Sequence, residues 1–501
     1  MQRLLLIAGI FFGLWVIIRI ALWLPPVQNF ITGKISEILE GQIGTPVGLE
    51  GVDIHWLDAV EIYGLYLEDQ QEDTLLYLGH LQVKIEPWAL LSKTLTVEQL
   101  RIQNTYINIY EVPENDSLNF AYLSEAFASA DTTAQPTDTT SSGFTVEAHQ
   151  LSLNNIRVDF SADSIEAHLA LGELTLLMET LGLEEQHIQA EELSIDALQV
   201  ALQLPQLSES DSTAQNEPEE PLIDSLKNVI NPSGYTFSLA EFSINDSQVD
   251  YQVGSSATSS PQIDFENLRI DNLGAQIEDI EIGDTNAALN LTQFTFTEQH
   301  SGFSLQELAL NAVVEMPQMQ ATLEKLETEH SNLNGSAVVT FSLEKQMADL
   351  IKSLQFRSRL DQAVLGLADV TYFTNALDSM PTLKDAKAYL DWQVEAENGS
   401  GSIQDLKLQL ADSLSLNANA QFEELARIDS TLEGSPYVQL SINSLETNLG
   451  FIRQFVGGDA RLPQLANDTI TLQASAKGHL DDIEGNMSLL SSVGKLAVKG
   501  G

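Results

Sequence analysis

Leu100-Arg101-Ile102-Gln103-Asn104-Thr105-Tyr106-Ile107-Asn108-Ile109 and Leu151-Ser152-Leu153-Asn154-Asn155-Ile156-Arg157-Val158-Asp159-Phe160 share one pattern, with apolar residues at positions 0, +2, +7 and +9 and Asn at +4. It returns as Phe242, Ile244, Asp246, Val249, Tyr251 and as Leu268, Ile270, Asn272, Ala275, Ile277. In Leu193, Ile195, Ala197, Val200, Leu202 it lacks the polar residue. Alternation places Leu100 and Ile102 on one face of a strand, but the odd step from +2 to +7 would send Ile107 and Ile109 to the other. A tight turn or bulge at +4 returns both pairs to one face. Asn and Asp suit that site because they tolerate left-handed geometry. Each copy is therefore expected to be a small hairpin, oily on one side and polar on the other. Copies begin at 100, 151, 193, 242 and 268, too unevenly for a strict solenoid, so the pattern predicts a long antiparallel meander with loop insertions.

The alternating texture extends outward on both sides, upstream through Val47, Leu49, Val52, Ile54 and Val60, Ile62, Leu65, Leu67 and downstream through Leu406, Leu408, Leu410 and Val438, Leu440, Ile442. Helical interruptions are expected at Pro87–Leu91, Phe120–Phe127, Glu344–Leu354, Leu383–Leu390 and Leu449–Val456. Ser129–Gly143 and Ser208–Pro221 carry too little apolar area to fold and read as disordered loops, with Gly254–Pro261 a shorter example.

At the N-terminus, Leu4–Leu24 is apolar apart from Gly9, Gly13 and Arg19. At about 1.5 Å per residue it reaches roughly 30 Å, one bilayer core. An uncleaved single-pass anchor is favoured over a cleaved signal, because the run is long for a signal and meets Pro25 and Pro26 without a small-residue cleavage site. Either reading sends the remaining chain out of the cytoplasm. Val27, Phe30, Ile31, Ile35, Ile38 and Leu39 follow at helical spacing. That amphipathic helix either lies on the bilayer or caps the first sheet, and capping is the favoured option.

Across 501 residues, 23 Lys and Arg stand against 72 Asp and Glu, a net charge of −49. Such a surface repels polyanions and excludes a nucleic-acid partner. With no cysteine there is no disulfide, no thiolate nucleophile and no Cys-based metal site. No phosphate-binding glycine loop, zinc-binding helix or nucleophile elbow occurs, and His55, His80, His149, His168, His187, His300, His330 and His479 have no ligand spacing. The acidic run Glu68, Asp69, Gln70, Gln71, Glu72, Asp73 lacks the glycine-centred calcium loop and reads as a polar hairpin tip. The expectation is a protein without catalytic residues, metal or cofactor.

Three stretches carry a family resemblance. They are Leu24-Pro25-Pro26-Val27-Gln28-Asn29-Phe30, then Leu65-Tyr66-Leu67-Glu68-Asp69-Gln70-Gln71 leading to Asp73-Thr74-Leu75-Leu76-Tyr77, and Leu118-Asn119-Phe120 before a helix. Over residues 1–125 the chain resembles the N-terminal part of TamB proteins, within the AsmA-like envelope group; beyond that the likeness is one of texture. The resemblance implies a single inner-membrane helix and an elongated periplasmic β meander curled into an open trough with an apolar lining, the β-taco. It also implies a role in outer-membrane biogenesis, with a TamA-like barrel as partner and phospholipid moving between membranes. Family members run longer and end in a distinct β domain, so a partial chain is expected, with the barrel contact in a region beyond it.

On this reading residues 1–26 are the anchor and 27–128 a β region with its amphipathic helix. Residues 129–143 and 208–221 are loops, 144–207 are hairpins and 222–501 continue the trough. The candidate lining is Leu100, Ile102, Ile107, Ile109, Leu151, Leu153, Val158, Phe160, Phe242, Ile244, Val249, Tyr251, Leu268, Ile270 and Ile277. Acyl chains gain about 0.8 kcal/mol per buried CH₂ wherever they sit on such a wall, which makes a flat path along it. The alternatives are an ordinary sandwich, in which the same residues are core, and a membrane-anchored chaperone that pairs exposed strand edges with nascent outer-membrane strands.

Overall fold

In a strand whose apolar alternation changes phase midway, one residue must break the pleat. In the computed structural model that residue is the one at +4 in every copy: Asn104, Asn155, Ala197, Asp246 and Asn272 all have left-handed φ, between +47° and +54°. The break is a single residue inside a continuous strand, so the expected hairpins are corrected. Their strands run through it unturned, as β5 (Thr94–Val112), β8 (Gln150–Ala162), β10 (His187–Leu204), β11 (Thr236–Val253) and β12 (Asn267–Ile282).

The structure describes residues 25–55, 58–92, 94–113, 117–127, 145–182, 186–206, 234–254, 261–316, 318–340, 354–378, 380, 383–410, 413–423, 436–456, 468–492 and 494–500. The expected anchor and the two loops expected at 129–143 and 208–221 lie outside them, as do most of Gly254–Pro261 and Glu344–Leu354. Among the described residues no helix is long and apolar enough to cross a membrane. The architecture is mainly β: long strands in an open, largely antiparallel sheet, with few short helices. Contacts divide the chain into two units, the first comprising Met1–Asp211, Leu239–Thr258 and Glu266–Leu273, the second the remainder.

The first unit adds β1 (Val47–Gly48), β2 (Gly51–His55), β3 (Ala59–Glu68), β4 (Thr74–Ile85), β6 (Ser117–Leu118), β7 (Thr145–Ala148) and β9 (Ile165–Gly182). Antiparallel ladders join β1 and β2 to β3, β3 to β4, β4 to β5, β5 to β6, β8 to β9, and β9 to β10. The wholly antiparallel meander is corrected at β5, which pairs in parallel with β7 and β8. Parallel neighbours need a long crossover, which the chain between Val112 and Thr145 supplies. The 51-residue offset sets the two quoted repeats side by side, Leu100 against Leu151 and Ile109 against Phe160.

α1 (Pro25–Ile43) and α2 (Ala121–Phe127) cap this unit. Leu39 and Ile43 of α1 and Tyr122 and Leu123 of α2 pack on the buried cluster Val47, Leu67 and Leu75, as the capping option expected. Asp69, at the acidic hairpin tip, is 2% exposed. It accepts hydrogen bonds from the Gln71 and Asp73 N–H groups, from Tyr110 Oη at 2.7 Å and from Asn119 Nδ2 at 3.0 Å. The helix expected at Pro87–Leu91 is a 3-10 turn over Ala89–Ser92.

The second unit continues as antiparallel neighbours from β13 (Asn286–Glu298) through β14 (Ser304–Glu315), β15 (Gln318–Thr328), β16 (Asn332–Thr340), β17 (Gln355–Gly366) and β18 (Lys387–Glu397). They are followed by β19 (Ser400–Leu410), β20 (Leu414–Glu423), β21 (Tyr437–Asn448), β22 (Thr469–His479), β23 (Asp482–Ser491) and β24 (Gly494–Gly500). Each pairs with the next. Among its described residues the short helices are α3 (Leu367–Val370) and α4 (Leu449–Val456), the latter where the sequence places it. The helix expected at Leu383–Leu390 is corrected: β18 begins at Lys387, because Ala388 and Leu390 pair with Leu365 and Ala363 of β17, and that pairing overrides local helical spacing.

Candidate apolar site on the sheet

The registers assemble the apolar residues of the first unit into rows that cross β3, β4, β5, β8, β9 and β10. One row is Val60, Val83, Leu100, Leu151, Leu176, Leu193, and the next is Ile62, Leu81, Ile102, Leu153, Leu174, Ile195. Beyond the break come Leu65, Leu78, Thr105, Ile156, Leu171, Leu198, then Leu67, Leu76, Ile107, Val158, Leu169, Val200. A shorter row joins Ile109, Phe160, Ala167 and Leu202.

Between the second and third rows a transverse crease runs through the left-handed Gly64, Asn104, Asn155 and Ala197 and through Gly79 and Gly172, which face them. Across the antiparallel pairs a left-handed residue faces glycine. A Cβ on Gly79 would lie 2.9 Å from that of Asn104, and one on Gly172 2.9 Å from that of Ala197. Across the parallel pair two asparagines meet, with Asn155 Nδ2 donating to Asn104 Oδ1 at 2.8 Å.

All fifteen candidate lining residues are partly exposed, none fully buried. Leu100, Ile102, Ile107 and Ile109 meet Leu151, Leu153, Val158 and Phe160 directly. Leu268 and Ile270 belong to the first unit, with Phe242, Ile244, Val249 and Tyr251 of β11, whereas Ile277 falls in the second. Sequence reasoning missed β9, whose Leu169, Leu171, Leu174 and Leu176 complete the rows; the odd step from Leu171 to Leu174 across Gly172 was the available signal. It also missed a row of seven leucines in the second unit: Leu390, Leu408, Leu416, Leu445, Leu472, Leu489 and Leu496 on β18 to β24.

The remaining strand positions carry a polar network. Gln99 Nε2 donates to Gln150 Oε1 at 3.0 Å, Gln103 Nε2 to Asn154 Oδ1 at 3.1 Å, and Tyr106 Oη to Asp159 Oδ2 at 2.9 Å. The hydrogen bond from His168, with that from Tyr106, holds the Asp159 carboxyl below its ordinary value against the opposing effect of burial. At Glu61 burial pushes the carboxyl up, but hydrogen bonds from Tyr63, Gln82 and His80 and the charge of His55 outweigh it and lower it. Tyr63 is pushed up to about 12 by its bond to Glu61 and by burial. These groups stitch strands together. Arg157, Asp159, His168, Gln199, Gln248, Asp250, Arg269 and Asp271 rim a hollow of about 270 Å³ over Ala170 and Ala201. Among the described residues no group of three His, Asp or Glu is arranged to hold a metal ion.

No family model matches the chain, and no curated protein or solved structure is detectably similar to it.

Proposed function

We propose that the apolar rows bind hydrocarbon chains and pass them across the strands, so that the protein is a membrane-anchored lipid carrier of the cell envelope. The observation that carries this reading is the partial exposure of every candidate lining residue, none of which is fully buried. In a two-layer sandwich the facing side chains would be buried by the opposite sheet. Here the cluster Val47, Leu67 and Leu75 is buried beneath the capping helices, and Leu78, Ile156 and Leu171 are buried in the row just beyond the crease, while the candidate lining residues on either side of that row stay partly exposed. A hydrocarbon on the rows meets similar walls at each strand, so its burial energy changes little as it moves from one to the next.

The apolar run Leu4–Leu24 supports an inner-membrane anchor with the bulk of the chain in the periplasm, and the TamB resemblance of residues 1–125 supports phospholipid as the cargo and a trough as the form. A TamA-like barrel is the partner that the resemblance implies. The scaffold reading has its own support in β24, which pairs only with β23 among the described residues and is exposed at every position.

Lipid mass spectrometry of the purified full chain tests the proposal. Bound phospholipid is expected, and Ile244→Asp and Val249→Asp should each lower it with strand content unchanged. A lipid-free protein would favour the scaffold, and undiminished loading in both variants would remove these positions from the lining.

A further inference from the structure

α1 has two working faces. At 3.6 residues per turn, Phe30, Lys34, Ile38 and Gly41 fall within about 80° of one another, and Leu39 and Ile43 lie roughly opposite. The Leu39 and Ile43 face is packed on the sheet. Phe30 and Ile38 are each 66% exposed, and Lys34 between them is 51% exposed in an ion pair with Glu37. Two large apolar side chains turned to water on one helix face cost free energy unless something apolar covers them. What lies next to them in the chain is Leu4–Leu24, a bilayer length of apolar sequence ending where α1 begins.

We infer that the outer face of α1 rests in the headgroup and upper acyl region of the bilayer, so that the helix joins the membrane on one side to the capped end of the sheet on the other. This rests on reading Leu4–Leu24 as a membrane anchor. Phe30 and Ile38 supply the apolar contact of an interfacial helix, and the stem of Lys34 lies along the same surface with its charge at headgroup level. The geometry suits entry of a lipid tail, since it holds the first strands against the leaflet that would supply it.

The chain has no cysteine, so one labelling site can be introduced cleanly. Gly41 is on the outer face, and a Cβ there meets nothing within 4 Å. Gly41→Cys carrying an environment-sensitive fluorophore is reconstituted as the full chain in phosphatidylethanolamine and phosphatidylglycerol vesicles, with Gln293→Cys, exposed in the second unit, as reference. The label at 41 should be quenched by a spin-labelled lipid and shielded from aqueous iodide, and the label at 293 the reverse. Adding Phe30→Ser and Ile38→Ser should return the label at 41 to water while the protein still floats with the vesicles. A floating protein whose label at 41 behaves like that at 293 would overturn the inference and leave the anchor intact. A protein that does not float would overturn both. Neither result touches lipid binding by the apolar rows, which mass spectrometry reads separately.

Discussion

Asn155 donates a 2.8 Å hydrogen bond to Asn104 across a parallel pair of strands, and both residues adopt left-handed φ, +53° and +54°. The pair marks where each strand changes phase. Before it, Gln99 and Gln103 bond to Gln150 and Asn154; after it, even-numbered Tyr106 takes over on β5 and bonds to Asp159. A left-handed residue on β3, β5, β8 and β10 and a glycine on β4 and β9, all at one level, keep the apolar residues on both sides of it together.

Ala197 holds φ +54° with no polar side chain to favour it, which costs roughly 1–2 kcal/mol in an L-residue. Ala197→Gly should strengthen the β9–β10 ladder by about 1 kcal/mol, and Ala197→Val should weaken it by at least as much. Amide hydrogen exchange across the two strands measures both. Equal protection in the wild-type and glycine forms would mean that no strain is stored there.

The crease was legible at Asn104, Asn155, Asp246 and Asn272 because Asn and Asp announce left-handed backbone, and the odd step from +2 to +7 announced it even at Ala197. What could not be read locally was the partner. Nothing within the ten residues from Leu100 reveals that their neighbour lies 51 residues on and runs parallel, so a break inside a strand looked like a turn between two. The seven-leucine row was hidden for a similar reason: its members are 7 to 29 residues apart and align only once six registers are known.

Thr105 occupies an apolar row between Leu78 and Ile156, is 6% exposed, and its hydroxyl has no hydrogen-bond partner among the described residues. A buried unsatisfied hydroxyl costs about 1–3 kcal/mol. Thr105→Val keeps the shape and removes the polar atom, so it should stabilise the first unit by on the order of 1 kcal/mol. Thermal unfolding followed by circular dichroism should place the first transition higher; a lower midpoint would show that the hydroxyl is satisfied in solution.

Asp69 ties the hairpin tip to the chain leading into α2. Burial pushes its carboxyl up, yet hydrogen bonds from Asn119, Tyr110 and the Asp73 and Gln71 N–H groups outweigh that and leave it below the ordinary value. A carboxyl lowered in this way stabilises the fold above its unfolded pKa, about 3.9, and that contribution is lost as pH falls through the folded value. The α2 cap should therefore loosen under acid only below about pH 4. Asn119→Ala removes a donor, so burial counts for more, the folded pKa rises and loosening should begin at higher pH. Amide exchange of Ala121–Phe127 against pH reads this directly, and an unmoved midpoint in the variant would exclude Asp69 as the controlling group.

The seven-leucine row separates a binding surface from a structural core. Leu445 and Leu472 are adjacent in it and only half-buried. If they were core, Leu445→Ala would cost about 2–5 kcal/mol and melt the second unit early. On a surface kept open for hydrocarbon the same change should cost nearer 1 kcal/mol, because the side chain is already partly in water and no opposing layer leaves a cavity behind it. Leu445→Asp should then fold, with strand content unchanged, and carry less lipid than the wild type, whereas a polar change on the other face, Glu446→Gln, should carry the same amount. Denaturation and lipid mass spectrometry on the three variants decide it: an unfolded Leu445→Asp, or one that keeps its full lipid load, would place this row outside the path.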